Sequence, residues 1–356
     1  MNNTSKLDSV RKNVYNVSLI PGDGIGPELI ESATKVLQTI NEKKTGLKFN
    51  LTHVEAGDSA LAKYGKALPE QTLESIKKSD VCIKGPVGES AADVIIFLRR
   101  YFDLYANIRP AKTYPNIKSF AQKENADVDL VIVRENTEDL YLGWEFNADN
   151  DTIAALRIIS KKASKRIAEA AFEISRLRNQ KKKVVAVHKA NVMRKGDGLF
   201  KNVCREVSKD FPDIEYSELY VDACSMNLIR NPEDFDVIVT TNLFGDILSD
   251  EAAQVVGGLG MGPASNIGKD FALFEPVHGA AFDIAGKNIA NPSSILLSMK
   301  MMFEWLVNKY DDNMLNIYGK KIEDSIIELL KQNKKTIDIG GNLTTSRFTD
   351  EIINLI

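Results

Sequence analysis

Five short runs rich in β-branched residues punctuate the chain: "NVSLI" (16–20), "DVCIK" (80–84), "VDLVIV" (128–133), "KVVAV" (183–187) and "FDVIVTT" (235–241). Each reads as a buried strand, because a strand covered on both faces needs apolar residues on both. Most are followed by a turn and a helical pattern, over 27–42, 90–104, 193–208 and 245–256. Strands alternating with helices predict an α/β protein with a largely parallel core sheet. From 290 onward the pattern is mainly helical, with Pro292 near a helix start. At 356 residues the chain is long enough for two domains. No repeat, heptad array or low-complexity linker separates them, so the chain is expected to leave one domain and return to it.

Composition excludes several function classes. The formal net charge of −3 gives no electrostatic reason to expect nucleic acid or an anionic membrane as partner. The basic run in "RNQKKKVV" (178–185) sits just before a strand and reads as a solvated turn. Cys82, Cys204 and Cys224 lie far apart, without metal-ligand spacing, and a sparse odd count fits a reducing compartment. His53, His188 and His278 are too scattered for a histidine-based metal site. "MNNTSKLDSVRK" (1–12) lacks the apolar core of a signal peptide and reads as an N-terminal tail. No stretch approaches the roughly 20 apolar residues of a membrane span. The expectation is a soluble, cytoplasmic protein.

"SLIPGDGIGPEL" (18–29) invites comparison with the dinucleotide fingerprint G-x-G-x-x-G. Gly22 and Gly24 are in register, but the third position is Pro27, with Gly26 one residue early. Asp23 also places a carboxylate where a pyrophosphate would be repelled. A tight strand-to-helix turn lining a cleft is the better reading than a phosphate cradle.

"NLFGDILSDEAAQ" (242–254) reads as a helix with Asp246 and Asp250 four apart on one face. Two readings stand: carboxylates favoured by the helix dipole, or ligands of a hard cation such as Mg²⁺ or Mn²⁺. Asp222 follows a strand-like run and is either a helix cap or a third ligand. Lys189 ends a strand, where it is either a solvated surface group or a base. Arg99, Arg109 and Arg134 stand near strand or helix ends, with Tyr141 close to the last. Such arginines suit a substrate with two or more carboxylates, or ordinary surface ion pairs.

In combination these segments resemble the β-decarboxylating dehydrogenase family, which includes the 3-isopropylmalate, isocitrate, homoisocitrate and tartrate enzymes. The resemblance runs from "LIPGDGIGPE" (19–28) through "YANIRPAK" (105–112), "VRENTEDLY" (133–141) and "HKANVM" (188–193). It continues through "NLFGDILSDEAA" (242–253) and "FEPVHGAAFDIAGKNIANP" (274–292) to "DIGGNLTTSRFTDEI" (338–352). The implied fold is the two-domain α/β fold of isocitrate and isopropylmalate dehydrogenases, which is not a Rossmann fold. One domain is expected over 1–104 and 257–356, carrying the termini and the cofactor loop. The other spans 105–256 and carries dimerisation, metal and catalytic residues.

By resemblance, Arg99, Arg109 and Arg134 clamp the malate-type carboxylates, and Asp222, Asp246 and Asp250 hold Mg²⁺ or Mn²⁺. Lys189 serves as base for the C2 hydroxyl, and Tyr141 protonates the enolate carbon after CO₂ leaves. Lys189 and Asp222 reach the site from a partner subunit, which implies a homodimer or higher homo-oligomer. The cofactor loop corresponds to His278, Gly279, Ala280, Ala281 and Asp283, with Asn291. The carboxylate of Asp283 suits the ribose hydroxyls of NAD and repels the 2′-phosphate of NADP.

The substrate is argued from "ESAADVIIFLRR" (89–100). Isocitrate enzymes have a Ser-x-Asn pair where this chain has Asp93 and Ile95, and isoleucine donates no hydrogen bond. Ile95 and Ile96 stand where isopropylmalate enzymes place leucines against the isopropyl group. Burying that group gains about 1.5–3 kcal/mol. Homoisocitrate enzymes tend to carry arginine at the position of Ile96. Ala92 stands where bacterial isopropylmalate enzymes have glutamate, and "ENTEDLY" (135–141) resembles the isocitrate branch. Archaeal isopropylmalate dehydrogenases resemble the chain in both respects. The expectation is NAD-dependent oxidation of 3-isopropylmalate, with isocitrate and homoisocitrate as alternatives.

Overall fold

The computed structural model describes residues 12–43, 46–123 and 126–356; the expected tail lies outside them but for Lys12. The chain forms two compact units, one up to Val94 with Ala272–Ile356, the other Ile95–Phe271.

The first unit begins with strands β1 (Val14–Ile20), β2 (Lys48–His53) and β3 (Val81–Lys84). The second holds β4 (Ala106–Lys112), β5 (Asp129–Glu135), β6 (Glu145–Asn147), β7 (Ile153–Ala155), β8 (Lys183–His188), β9 (Glu215–Tyr220), β10 (Val237–Thr240) and β11 (Pro263–Ile267). The chain then returns to the first unit with β12 (Ala272–Pro276).

In the first unit the strand order is β2-β1-β3-β12, all parallel. The helix Gly26–Glu42 buries Leu29, Ile30, Ala33, Val36, Leu37 and Ile40. That is the spacing of one helical face, and the helix packs beside Ser293–Tyr310 and Thr345–Leu355. Pro292 immediately precedes the helix Ser293–Tyr310, as the sequence predicts.

In the second unit the order is β11-β4-β5-β10-β8-β9, and β6 pairs with β7 in a separate hairpin. Alternation along its parallel strands feeds two cores. Val131, Val133, Val184, Ala186, Val237 and Val239 face a cluster that includes Ile167 and Phe172 of the helix Lys161–Arg178 and Phe200 of Gly196–Ser208. Leu130, Ile132, Val185, Val187 and Ile238 face a second cluster, with Leu228 of Val221–Arg230 and Leu248 of Asn242–Val255.

The core strands are largely parallel, as expected, while β4 runs antiparallel to both β5 and β11. Pro110 is tolerated there because β11 pairs only with Ala106–Ile108, leaving Pro110 beyond that ladder. The predicted helix 90–104 is a π-helical turn, Ala92–Ile96, followed by a short α-helix, Phe97–Tyr101. The two compact units divide at 94/95 and 271/272. Within the second, β11 pairs with β4, and Arg99 donates from its Nε to Asn266 on β11.

Candidate active site

The antiparallel trio β11-β4-β5 places Asn266 opposite Asn107, and Asn107 opposite Arg134. Arg109, two residues along from Asn107, shares its sheet face. A polar row this deep is stable only if its members satisfy one another. The Asn266 Oδ1 atom accepts from Asn107 Nδ2 at 2.8 Å, Asn136 Nδ2 at 2.9 Å and Arg99 Nε at 3.0 Å. Asn107 Oδ1 accepts from Arg109 Nε at 2.7 Å. Arg99 and Arg109 are thus held by strand asparagines that the sequence pattern does not single out, since polar residues inside a strand carry no periodic signal.

The helix Asn242–Val255 lies over this face. A Cβ on Gly245 would stand 2.5 Å from Arg134 Cγ, so the glycine admits the arginine beneath the helix. Asn242 Oδ1 accepts from Arg134 Nε at 2.9 Å, and Asp246 accepts from Arg134 Nη1 and from the Tyr141 hydroxyl. Arg109 Nη1 donates to Ser249 Oγ at 2.8 Å and Asp250 Oδ1 at 3.1 Å. The Arg134 guanidinium lies 4.8 Å from the Tyr141 ring centre.

Burial pushes the Asp246 carboxyl up, but Arg134 and Arg109, with the Tyr141 hydroxyl, outweigh it and hold it below the ordinary value. Burial raises Asp250 against the pull of Arg109, and Asp246 adds to the rise. Two carboxylates one helical turn apart are therefore driven in opposite directions. Burial, then the charges of Arg109 and Arg99, lower Arg134. Its Nη2 atom is buried without a partner, which leaves a donor for a ligand oxygen.

Of the predicted residues, the structure gathers Arg99, Arg109, Arg134, Tyr141, Asp246 and Asp250 into this one network. It does not bring Lys189 and Asp222 to it. These two pair with each other, Nζ to Oδ1 at 2.5 Å, and Lys189 lowers the Asp222 carboxyl. Among the described residues no group of three His, Cys, Asp or Glu could hold a metal ion. Ile95 and Ile96 are both half-buried, on the π turn and just before the helix that carries Arg99.

The predicted cofactor loop belongs to the first unit and follows β12. Gly279, Ala281 and Asp283 are exposed, and a Cβ on Gly279 would meet open space. Burial lowers the His278 imidazole. Asn291 is buried, and its Oδ1 accepts from Ser293 N at 3.0 Å, capping the helix that follows.

The glycine turn packs against this loop. Ile25 N donates to Ala280 O at 2.8 Å, and a Cβ on Gly24 would stand 1.9 Å from that same oxygen. Cβ atoms on Gly22 and Gly26 would collide with the carbonyls of Pro86 and Pro21. Asp23 is buried and accepts from Asp58 N, Ser59 N, Ser59 Oγ and Gly88 N. The glycines therefore let backbones touch where three loops meet, beyond the carboxyl ends of β1, β3 and β12. Beneath them, Lys84 and Glu275 form a buried ion pair at 2.8 Å that the sequence did not single out.

Residues 16–353 match the family model described as isocitrate/isopropylmalate dehydrogenase. The chain belongs to that family. The chain is 51% identical to the 3-isopropylmalate dehydrogenase of Saccharolobus solfataricus over 95% of its length and 98% of the relative's. A 3-isopropylmalate dehydrogenase of Archaeoglobus fulgidus is 50% identical, covering 96% of this chain and 99% of its own. The homoisocitrate dehydrogenase of Methanocaldococcus jannaschii is 46% identical, over 96% of this chain and 98% of its own. Among solved structures, isocitrate dehydrogenase from Methylococcus capsulatus superposes with a TM-score of 0.86 at 40% identity, covering 96% of this chain and 98% of its own. The α/β fold read from the sequence is that of the isocitrate/isopropylmalate dehydrogenase family, and the chain is one of its enzymes. In the described residues no helix is long and apolar enough to cross a membrane.

Proposed function

We propose that the chain oxidises (2R,3S)-3-isopropylmalate with NAD and releases CO₂ to give 4-methyl-2-oxopentanoate, a step of leucine biosynthesis. The observation that carries the substrate is the apolar pair Ile95 and Ile96 beside Arg99, where an isocitrate γ-carboxylate would find no donor. The relatives at 50–51% identity, themselves named 3-isopropylmalate dehydrogenases, agree with it. One observation favours the second reading, isocitrate or homoisocitrate: the homoisocitrate relative stands only a few per cent lower, at 46%.

In this reading Arg99, Arg109 and Arg134 hold the two carboxylates, with the unpartnered Arg134 Nη2 supplying one donor. Lys189 takes the proton of the C2 hydroxyl as the carbinol becomes a ketone. The bond to the departing carboxylate then breaks toward C3, and the Tyr141 hydroxyl returns a proton to that carbon. Asp246 and Asp250 offer hard oxygen donors on one helical face, with no soft ligand nearby, which fits Mg²⁺ or Mn²⁺. Exposed Asp283 and the open backbone at Gly279 fit the ribose of NAD. When bound, NAD would supply the hydride acceptor and the cation a Lewis acid at the C2 oxygen.

Because Lys189 and Asp222 bond each other away from Asp246 and Asp250, a second copy of the chain is needed to complete the site. Exposed apolar side chains support that homodimer: Trp144, Phe146 and Ile153 around the β6–β7 hairpin, and Met226, Ile229 and Ile247 on two helices. The three buried, unpaired cysteines fit the reducing cytoplasm.

The test is NAD and NADP reduction with 3-isopropylmalate, isocitrate and homoisocitrate, with and without Mn²⁺. The reading expects the highest kcat/KM for 3-isopropylmalate with NAD and dependence on the cation. Isocitrate or homoisocitrate ahead by about tenfold, some 1.4 kcal/mol, would overturn the substrate.

A further inference from the structure

Arg157 lies between β7 and the helix Lys161–Arg178, and every N–H of its guanidinium has a partner. Nε donates to Asp139 Oδ1 at 2.6 Å, and Nη2 donates to Asp139 Oδ2 at 3.2 Å and Thr241 Oγ1 at 2.7 Å. Nη1 donates to Asp197 and to Met193 Sδ at 3.0 Å. The guanidinium also stacks 4.8 Å from the Phe244 ring centre. Both aspartates have no exposed surface.

Each aspartate has a second bond to a piece of the site. Asp139 Oδ2 accepts from Leu243 N at 3.2 Å, in the first turn of the helix that carries Asp246 and Asp250. Asp139 also opens the 3₁₀ turn Asp139–Leu142, which presents Tyr141, and does so at φ 74°, a conformation that a buried non-glycine residue keeps only when its surroundings enforce it. Asp197 Oδ2 accepts from the backbone N–H of Lys189 at 2.5 Å. Thr241 immediately precedes the helix of Asp246.

We infer that Arg157, with Asp139 and Asp197, is a positioning hub that fixes the proton donor Tyr141, the aspartate helix and the base Lys189 relative to one another. The inference rests on the proposed roles of those three elements. Two buried carboxylates around one guanidinium are a poor source of net stability, since desolvation offsets most of the attraction. Their geometric definition is the better explanation, and only a planar five-donor fork supplies it; lysine keeps the charge but not the fork. Because Lys189 would serve a second copy's site, the hub ties together groups that act in two reaction centres.

Arg157→Lys is the test, with hydrogen exchange followed by mass spectrometry beside steady-state kinetics. Amide exchange is expected to accelerate together over 139–142, 188–190 and 242–246, while β1 is unchanged. The kcat with 3-isopropylmalate is expected to fall about tenfold or more, with KM within about threefold, because sub-ångström misplacement acts on the chemical step. Unchanged exchange and kcat would overturn the hub, as would acceleration in only one segment, acceleration everywhere, or an effect on KM alone. If the wild-type chain turns over none of the three acids, the functional reading fails, and the exchange pattern still decides the hub. Should Arg157→Lys not fold, Asp197→Asn gives the same decision at 188–190, because an amide cannot accept through both terminal atoms.

Discussion

The Tyr141 hydroxyl donates to Asp246, whose other carboxylate oxygen accepts from Arg134. A phenol and a charge-bearing carboxylate are thereby locked to one point. Burial raises the Tyr141 phenol above its ordinary value of 10.0, against the charge of Arg134, and the bond to Asp246 adds to the rise. The phenol stays protonated through neutral pH. Tyr141→Phe is expected to lower kcat about 100-fold or more with little change in KM for the acid. Initial rates of NADH formation and CO₂ release measure this, and an unchanged rate rules Tyr141 out as the acid.

Asp250 holds its proton more tightly in the fold than in the unfolded chain, because burial outweighs Arg109. Raising the pH through its raised value therefore costs stability, while it frees a ligand for a cation. At neutral pH Asp250→Asn should melt no lower than the wild type, yet Mn²⁺ should no longer raise its Tm. In the wild type the Mn²⁺ effect on Tm should grow as the pH rises above the ordinary carboxylate range. A pH-independent shift, or one retained in Asp250→Asn, contradicts the assignment.

Gly24→Ala would set a Cβ 1.9 Å from the carbonyl oxygen of Ala280, at a residue with φ 57°. Neither backbone can yield cheaply, so a loss of about 3 kcal/mol or more is expected. Thermal or urea unfolding of the variant without cofactor reads it directly. A variant of normal stability with a raised KM for NAD would instead return the turn to a phosphate-binding role.

Ile95→Ser exchanges an apolar contact for a hydroxyl in the helix-forming stretch that precedes Arg99. Competition between 3-isopropylmalate and isocitrate reads the effect. The kcat/KM for 3-isopropylmalate should fall about 10- to 200-fold, the value of a few buried methyl groups, with no comparable loss on isocitrate. Equal losses on both acids would place Ile95 in the helix core and outside the substrate pocket.

The strands legible in the sequence are those buried on both faces, such as "VDLVIV" and "KVVAV", where continuous apolar runs leave few other readings. Strand β4 was not among them, since "ANIRPAK" interrupts its apolar residues with asparagine, arginine and proline. Asn107 is satisfied in the core because Asn266, far along the chain, accepts from it and from Arg99 and Asn136 at once, a compensation no local pattern encodes. The arginines and aspartates of the site were readable only through their family wording, for each alone resembles a surface ion pair. Arg157 had no such wording. Its significance lies in five hydrogen bonds to four residues spread from Asp139 to Thr241, and so becomes visible only in three dimensions.

The separation of Lys189 and Asp222 from Asp246 and Asp250 has a consequence for how the protein is counted. If each reaction centre takes its base from a second copy, a lone chain has no turnover at any substrate level. Specific activity then becomes a function of enzyme concentration. Diluted below the dissociation constant of the pair, rate per chain should decline in proportion to concentration and total rate as its square.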